Sequence, residues 1–153
     1  MYSKTESSEI KHAFWMAYGQ FMALQPKADD TRINWINYRT GIKYLNFKMN
    51  ADNKSASIYI ELNHPDLSVQ ELMFEQFREL RRLLENNLGE EWGWNLHELN
   101  EYQQTISTIK FELPGVSIYK KDDWPVLISF FKQRIMALHE FWMDAQYTFE
   151  IFS

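Results

Sequence analysis

Residues 32–63 read R-I-N-W-I-N-Y-R-T-G-I-K-Y-L-N-F-K-M-N-A-D-N-K-S-A-S-I-Y-I-E-L-N, and their reading decides the fold. From Ile42 the side chains alternate, with Leu45, Phe47 and Met49 on one face and Tyr44, Asn46 and Lys48 on the other. The alternation returns further on, where Ala56, Ile58, Ile60 and Leu62 stand opposite Ser57, Tyr59, Glu61 and Asn63. Successive side chains of a strand point to opposite faces, so a period of two marks strands with one buried side. Residues 50–55 between these runs are Asn, Ala, Asp, Asn, Lys and Ser. Asn, Asp and Ser bond their own backbone and accept turn dihedrals, which makes this a hairpin loop. A tighter turn at Arg39, Thr40 and Gly41 follows a first strand over 35–38, with Gly41 free to supply a positive φ.

Helical periods flank this core on both sides. Ile10, Ala13, Phe14, Ala17, Tyr18 and Phe21 follow helical spacing after a cap at Ser7 or Ser8, and Pro26 disfavours helix beyond Leu24. Residues 1–7 are expected to be a frayed tail and 8–153 a single domain. After the three strands, Ser68 with Glu71 fits a capping box, and Val69, Leu72, Met73, Phe77, Leu80, Leu84 and Leu88 form an apolar stripe ending at Gly89. Further strands are expected over 92–96, 103–113 and 116–119, with turns at 98–102 and at Pro114-Gly115. Asp122 or Asp123 caps a last helix, with Pro125 in its first turn. The expected fold class is α+β: a six-stranded, mainly antiparallel sheet packed with three helices, in the order α-βββ-α-βββ-α, with a long C-terminal helix.

A chain of 153 residues fits one domain, and roughly 70% of its unfolded surface is buried at that size, enough for a sizeable core. Its 11 Phe, 8 Tyr and 6 Trp are read chiefly as packing for that core. The net charge of −5 opposes a broad nucleic-acid surface, which is normally basic. With no cysteine there is no disulfide, thiolate nucleophile or thiolate metal site. No apolar run is long enough to span a membrane and the first residues, M-Y-S-K-T-E-S-S-E, form no apolar signal region, so the expected location is the cytoplasm, with no membrane partner.

No catalytic, metal or cofactor site is expected. His12, His64, His97 and His139 hold no ligand spacing; after His139-Glu140 the place of the second His in H-E-x-x-H is taken by Met143. His64-Pro65-Asp66 is read as the start of a helix rather than a metal pair. With 5 glycines the chain can hardly build a phosphate loop or a dinucleotide fingerprint. The order of helix, three strands, helix and strand is shared with PD-(D/E)xK nucleases, which hold a divalent metal with an Asp on one strand and an acid-x-Lys on the next. Here Glu61 supplies the acid, but Asn63 stands at the Lys position and residues 42–49 carry no acid. Any kinship of that kind is read as catalytically dead.

Two surfaces remain. On the outward sheet face, alternation gathers Tyr44, Lys48, Tyr59, Glu61, Lys110 and Tyr119, with Arg32 and Lys43 nearby. Tyrosines beside lysines on an open sheet resemble a base-stacking platform, against which stands an ordinary solvated face with cross-strand Lys–Glu pairs. The last helix carries Ile128, Phe131, Ile135, Leu138, Trp142, Ala145, Phe149 and Phe152 in steps of three and four. A helix of 30 residues would be about 45 Å long. Its end beyond Trp142 is therefore a candidate to overhang the sheet and meet a protein partner or a second copy through Trp142, Phe149 and Phe152.

The segments W-I-N-Y-R-T-G-I-K, A-S-I-Y-I-E-L-N-H-P-D, L-M-F-E-Q-F-R-E-L, L-G-E-E-W-G-W, D-W-P-V-L-I-S-F-F-K and A-L-H-E-F-W together resemble the short bacterial proteins of domain of unknown function 4268. The resemblance runs from Glu9 to Phe149. It implies a neighbourhood of DNA processing or defence, since related domains follow nuclease-like parts of larger proteins, and it transfers no catalytic residue. Phe47-Lys48-Met49 stands where the family suggests F-R-M, Lys132-Gln133-Arg134 where it suggests K-P-R, and Thr108-Ile109-Lys110 where an S-R-I-Y-like run is usual. The leading expectation is a non-catalytic interaction module that meets a protein or its own copy, with a nucleic-acid accessory domain as the alternative.

Overall fold

The computed structural model describes residues 2–25 and 33–153. Helix α1, Lys4–Ala23, starts under Ser3, whose Oγ accepts the backbone N–H of Glu6, and buries Phe14, Tyr18 and Met22 at four-residue intervals. Strands β1, Leu45–Ala51, and β2, Ser55–Leu62, form the expected hairpin, with pairing from Leu45 opposite Leu62 to Ala51 opposite Ala56. Asp52 builds the turn: its carboxylate accepts the backbone N–H of Lys54 and of Ser55, each at 2.9 Å. Helices α2, Leu67–Glu79, and α3, Arg81–Leu88, lead to β3, Gly93–Leu99, and β4, Thr105–Pro114. A short 3-10 turn, Lys121–Asp123, precedes helix α4, Trp124–Ala145, and the chain tightens to 3-10 geometry over Gln146–Phe152.

All pairings are antiparallel and the strand order is β1-β2-β4-β3, so β2 and β4 are central. One face of the sheet carries Phe47, Ile58, Ile60 and Ile109, which join Met73 and Phe77 of α2 and Leu138 and Phe141 of α4 in a single core. Aromatic rings knit the layers: Phe47 meets Trp142 edge-on at 5.7 Å, Phe74 meets Trp94 at 5.6 Å, and Phe14 and Trp15 of α1 lie on Phe131 of α4. Among the described residues, no helix is long and apolar enough to cross a membrane.

The α+β class holds, but the architecture differs from the expected six strands and three helices: the described residues form four strands and four α-helices. Residues 35–38 are not a strand, because Asn34 Oδ1 accepts the backbone N–H of both Ile36 and Asn37 and turns the chain there. Residues 116–119 are not a strand either. The Ser117 N–H goes to the carboxylate of Asp123, the Tyr119 N–H goes to Ser117 Oγ, and only Ile118 reaches the β1–β2 turn, at Asp52 O. The apolar stripe expected as one helix up to Leu88 breaks at Leu80, whose N–H bonds Phe77 O and leaves the regular helix; α3 restarts there and packs Leu84 into the core. The cap of α2 is Asp66, which accepts from Ser68 and Val69, so Ser68 lies inside the helix. Gly89, at φ 70°, ends α3 as a left-handed cap.

The last helix stops at Ala145, about 33 Å from its start at 1.5 Å per residue. Beyond it the 3-10 stretch folds back: the Phe149 ring lies 4.6 Å from Phe77 and 5.3 Å from Trp142. Trp142 and Phe149 are fully buried, and Phe152 is half-buried against Phe149. The expected overhang is absent because the period that reads as a docking seam is the core seam of this helix.

Candidate functional site

The sheet face opposite the core is polar and open. Pairing across β1, β2 and β4 sets Lys48, Tyr59 and Lys110 in one row and Asn46, Glu61 and Thr108 in the next. At the far edge, β3 carries a β-bulge. Asn95 pairs with Thr108 and Glu98 with Ile106, so three steps on β3 match two on β4. His97 takes the bulge at φ 52°, and its N–H is satisfied by Ser107 Oγ at 3.0 Å. The extra residue inverts the alternation and turns Glu98 to the outer face, where it accepts the Thr108 hydroxyl at 2.8 Å. The β3–β4 turn then borders this face. Asn100 Oδ1 holds it by accepting the N–H of Tyr102 and of Gln104.

These elements enclose a cleft of about 470 Å³, lined by Lys48, Tyr59, Glu61, Glu98, Tyr102 and Lys110 among others. Glu61 forms its floor and is 5% exposed although it points away from the core. The Lys48 ammonium lies 2.5 Å from Glu61 Oε2. The ion pair engages that carboxylate oxygen directly and partners the buried charge. Asn63 Oδ1, on the same wall, is buried without a hydrogen-bond partner among the described residues. The Lys110 ammonium sits 4.9 Å over the Tyr59 ring. Burial raises the pKa of the Tyr59 hydroxyl, and the carboxylates of Glu61 and Glu101 push it in the same direction.

The structure brings together Lys48, Tyr59, Glu61 and Lys110 of the expected sheet-face residues. Lys43 and Tyr44 lie just before β1, where the Lys43 ammonium sits 5.0 Å from the Tyr44 ring, which in turn packs edge-on against His64 at 4.7 Å. Tyr119 is elsewhere: its hydroxyl bonds Ser7 Oγ and its ring stacks on Tyr2 beside α1. Arg32 lies outside the described residues. Glu98, Glu101 and Tyr102 complete the cleft: the bulge brings Glu98 to this face, and Glu101 and Tyr102 stand in the turn after β3, beyond the reach of strand alternation. Asn100, placed to nucleate a turn, is the one signal in the sequence for where the hairpin ends. Among the described residues, no three His, Asp or Glu side chains come together as a metal site.

The family described as Domain of unknown function (DUF4268) matches residues 10–146. The chain belongs to this family. The match covers every strand and most of the helical layer, so the cleft is built wholly from family-matched residues. No curated protein and no solved structure matches the chain.

Proposed function

We propose that this DUF4268 domain is a non-catalytic interaction module of the bacterial cytoplasm that holds a protein partner in the polar cleft of its outer sheet face. The observation that carries the reading is the cleft itself: a concave wall of mixed charge and tyrosine rings, rimmed by Leu99 and Tyr102, which are 65% and 75% exposed. Protein interfaces combine exposed aromatic anchors with polar groups that fix register, and this wall offers both. The apolar seam of the last helix cannot serve the same purpose, since Trp142 and Phe149 are core residues.

A nucleic-acid accessory role is the second reading. It is favoured by the two lysine–tyrosine pairs, Lys110 on Tyr59 and Lys43 on Tyr44. It is opposed by the net charge of −5 and by Lys48 being tied to Glu61.

Capture of the tagged chain from its own cells, with and without nuclease, tests both. Tyr102→Ser with Lys110→Ala alters the cleft, and Tyr147→Ser serves as control, because Tyr147 is an exposed ring outside the cleft. The expected result is a protein partner that survives nuclease, is lost with the cleft variant and is kept by the control. A partner retained by the cleft variant overturns the assignment of the surface. Loss of the partner on nuclease treatment moves the lysine–tyrosine pairs to the front.

A further inference from the structure

The sheet has two edges, β1 and β3, and they are built differently. A strand edge invites further strands, and proteins commonly blunt it with a bulge. The bulge at His97 does this for β3. The seven residues of β1 instead pair with β2 in unbroken register, from Leu45 opposite Leu62 to Ala51 opposite Ala56. That register fixes which backbone groups face outward. The Asp52 N–H bonds Ser55 O and the Asn63 N–H bonds Tyr44 O, so Asn46, Lys48 and Asn50 bond β2, and the odd-numbered residues turn their N–H and C=O to the edge. The chain itself satisfies the first of these. Leu45 O accepts the Thr40 hydroxyl at 2.8 Å, and the Leu45 N–H reaches Ile42 O. Beyond Leu45, among the described residues, the outward groups of Phe47, Met49 and Ala51 have no hydrogen-bond partner.

A cleft of about 450 Å³ runs along this stretch, between β1 and residues 36–39. Consecutive residues 46–50 line it, and because alternate side chains lie on opposite faces, the cleft follows the edge of the strand rather than one face. We propose that this edge takes an extended, acidic segment of a partner protein as a fifth strand. Main-chain bonds to Phe47 and Met49, about 7 Å apart along β1, supply its register. Charge selects the segment. Arg39 and Lys48 line the cleft with the amides of Asn37, Asn46 and Asn50, and no carboxylate does. Lys48 is shared with Glu61, but Arg39 is exposed and has no ion pair among the described residues. A chain of net charge −5 thus keeps a positive strip beside its unblunted edge. The same strip disfavours a second copy, since β1 laid against its own copy gathers like charges across the new pairing. The cleft shares Lys48, Asn50 and Tyr59 with the cleft of the outer face, but the inference stands on the edge alone and does not depend on what the outer face holds.

The test is a titration of the isotope-labelled full chain with acetyl-Val-Glu-Val-Asp-Val-amide, read by backbone amide shifts and hydrogen exchange. Two matched peptides serve as controls: one with Lys at both acidic positions, and one N-methylated throughout, which keeps the side chains and loses every main-chain donor. The acidic peptide is expected to shift the Phe47 and Met49 amides in a saturable way and to slow their exchange at least about tenfold, and the controls are not. Met49→Pro removes an outward N–H without touching a bond to β2 and should abolish binding. Arg39→Glu should weaken binding of the acidic peptide by roughly threefold or more and admit the lysine peptide. This exposed position keeps the inference falsifiable if Met49→Pro disturbs the contact of Met49 with Tyr18. Equal binding of the N-methylated peptide, shifts without slowed exchange at Phe47 and Met49, shifts confined to other surfaces, no binding by any peptide, or an acidic preference untouched by Arg39→Glu each overturn the proposal. Such a failure leaves the outer face as it stands, because capture there is read through Tyr102 and Lys110.

Discussion

Single side chains in this protein mostly settle local conformations, and two of them give measurable consequences. Tyr38 is buried beside β1, its hydroxyl 2.6 Å from His139 Nδ1 and its ring stacked on Phe47. Burial pushes its pKa up to about 12 from 10.0. The folded-state value lies above the unfolded one, so the contribution of Tyr38 to stability is complete below pH 10 and is lost as pH rises from 10 through about 12. The urea midpoint of the wild type should therefore fall more steeply over that window than the midpoint of Tyr38→Phe, which has no proton to lose. Parallel curves would show that the hydroxyl does not titrate with unfolding. Asp52 runs the other way. Burial opposes its charged form, but the hydrogen bonds from Lys54 and Ser55 prevail and hold its pKa below the ordinary value. That contribution is present above the unfolded carboxylate value and is lost as pH falls through the lower, folded one. Asp52→Ala removes both turn bonds and should cost about 1–2 kcal/mol at neutral pH in urea unfolding. Asp52→Asn keeps an acceptor oxygen and should recover most of that loss.

At the scale of elements, the C-terminal segment decides between packing and docking. The seam from Ile128 to Phe152 has one spacing, and spacing alone does not say whether a helix stays straight. In the folded chain the regular helix ends at Ala145 and the tightened turns drive Phe149 between Phe77 and Trp142. Phe149→Ala should then leave a cavity and cost about 3–5 kcal/mol by chemical denaturation, while Phe152→Ala, half-exposed, should cost clearly less. A near-neutral Phe149→Ala would return that ring to the surface. The β1–β2 hairpin was legible, although β1 starts at Leu45 rather than Ile42 and the turn is narrower than residues 50–55, because one face is apolar and the loop is held by Asp52, so pattern and turn chemistry agree. The false strands at 35–38 and 116–119 failed for one shared reason. Each has β-like composition, yet Asn34 in one and Ser117 with Asp123 in the other bind the backbone amides a ladder would need. The break at Leu80 was also hidden, since Leu80 and Leu84 continue the apolar stripe while the backbone at Leu80 leaves helical dihedrals, at φ −99° and ψ 12°.

For the whole molecule, the sheet divides the chemistry cleanly: aromatic and aliphatic residues under α2 and α4, and a mixed-charge wall on the other side. Half of that wall was visible in the sequence, because Lys48, Tyr59, Glu61 and Lys110 obey strict alternation on β1, β2 and β4. The other half was not: residues 98–102 read as a turn, whereas β3 runs on to Leu99 through a bulge at His97 that sets Glu98 on this face, and a bulge has no signature in a period-two pattern. This missing half changes the electrostatic argument. From alternation alone the face reads as lysines among tyrosines, the makings of a stacking platform. With Glu98 and Glu101 added, and Lys48 held by Glu61, the face loses its positive bias. Binding to a nucleic-acid backbone depends on cations that release condensed counterions, and each contact adds to the salt dependence. A chain of net charge −5 with such a wall has few free cations to offer. The mobility of labelled duplex DNA and single-stranded RNA at low salt should therefore be unchanged by the protein, even at concentrations that saturate the partner captured from cells. The charge-reversing pair Glu98→Lys with Glu101→Lys should create retardation where the wild type shows none, and that retardation should vanish steeply as salt is raised. Retardation by the wild type itself, lost on Lys110→Ala, would instead make the face a nucleic-acid platform despite its acids.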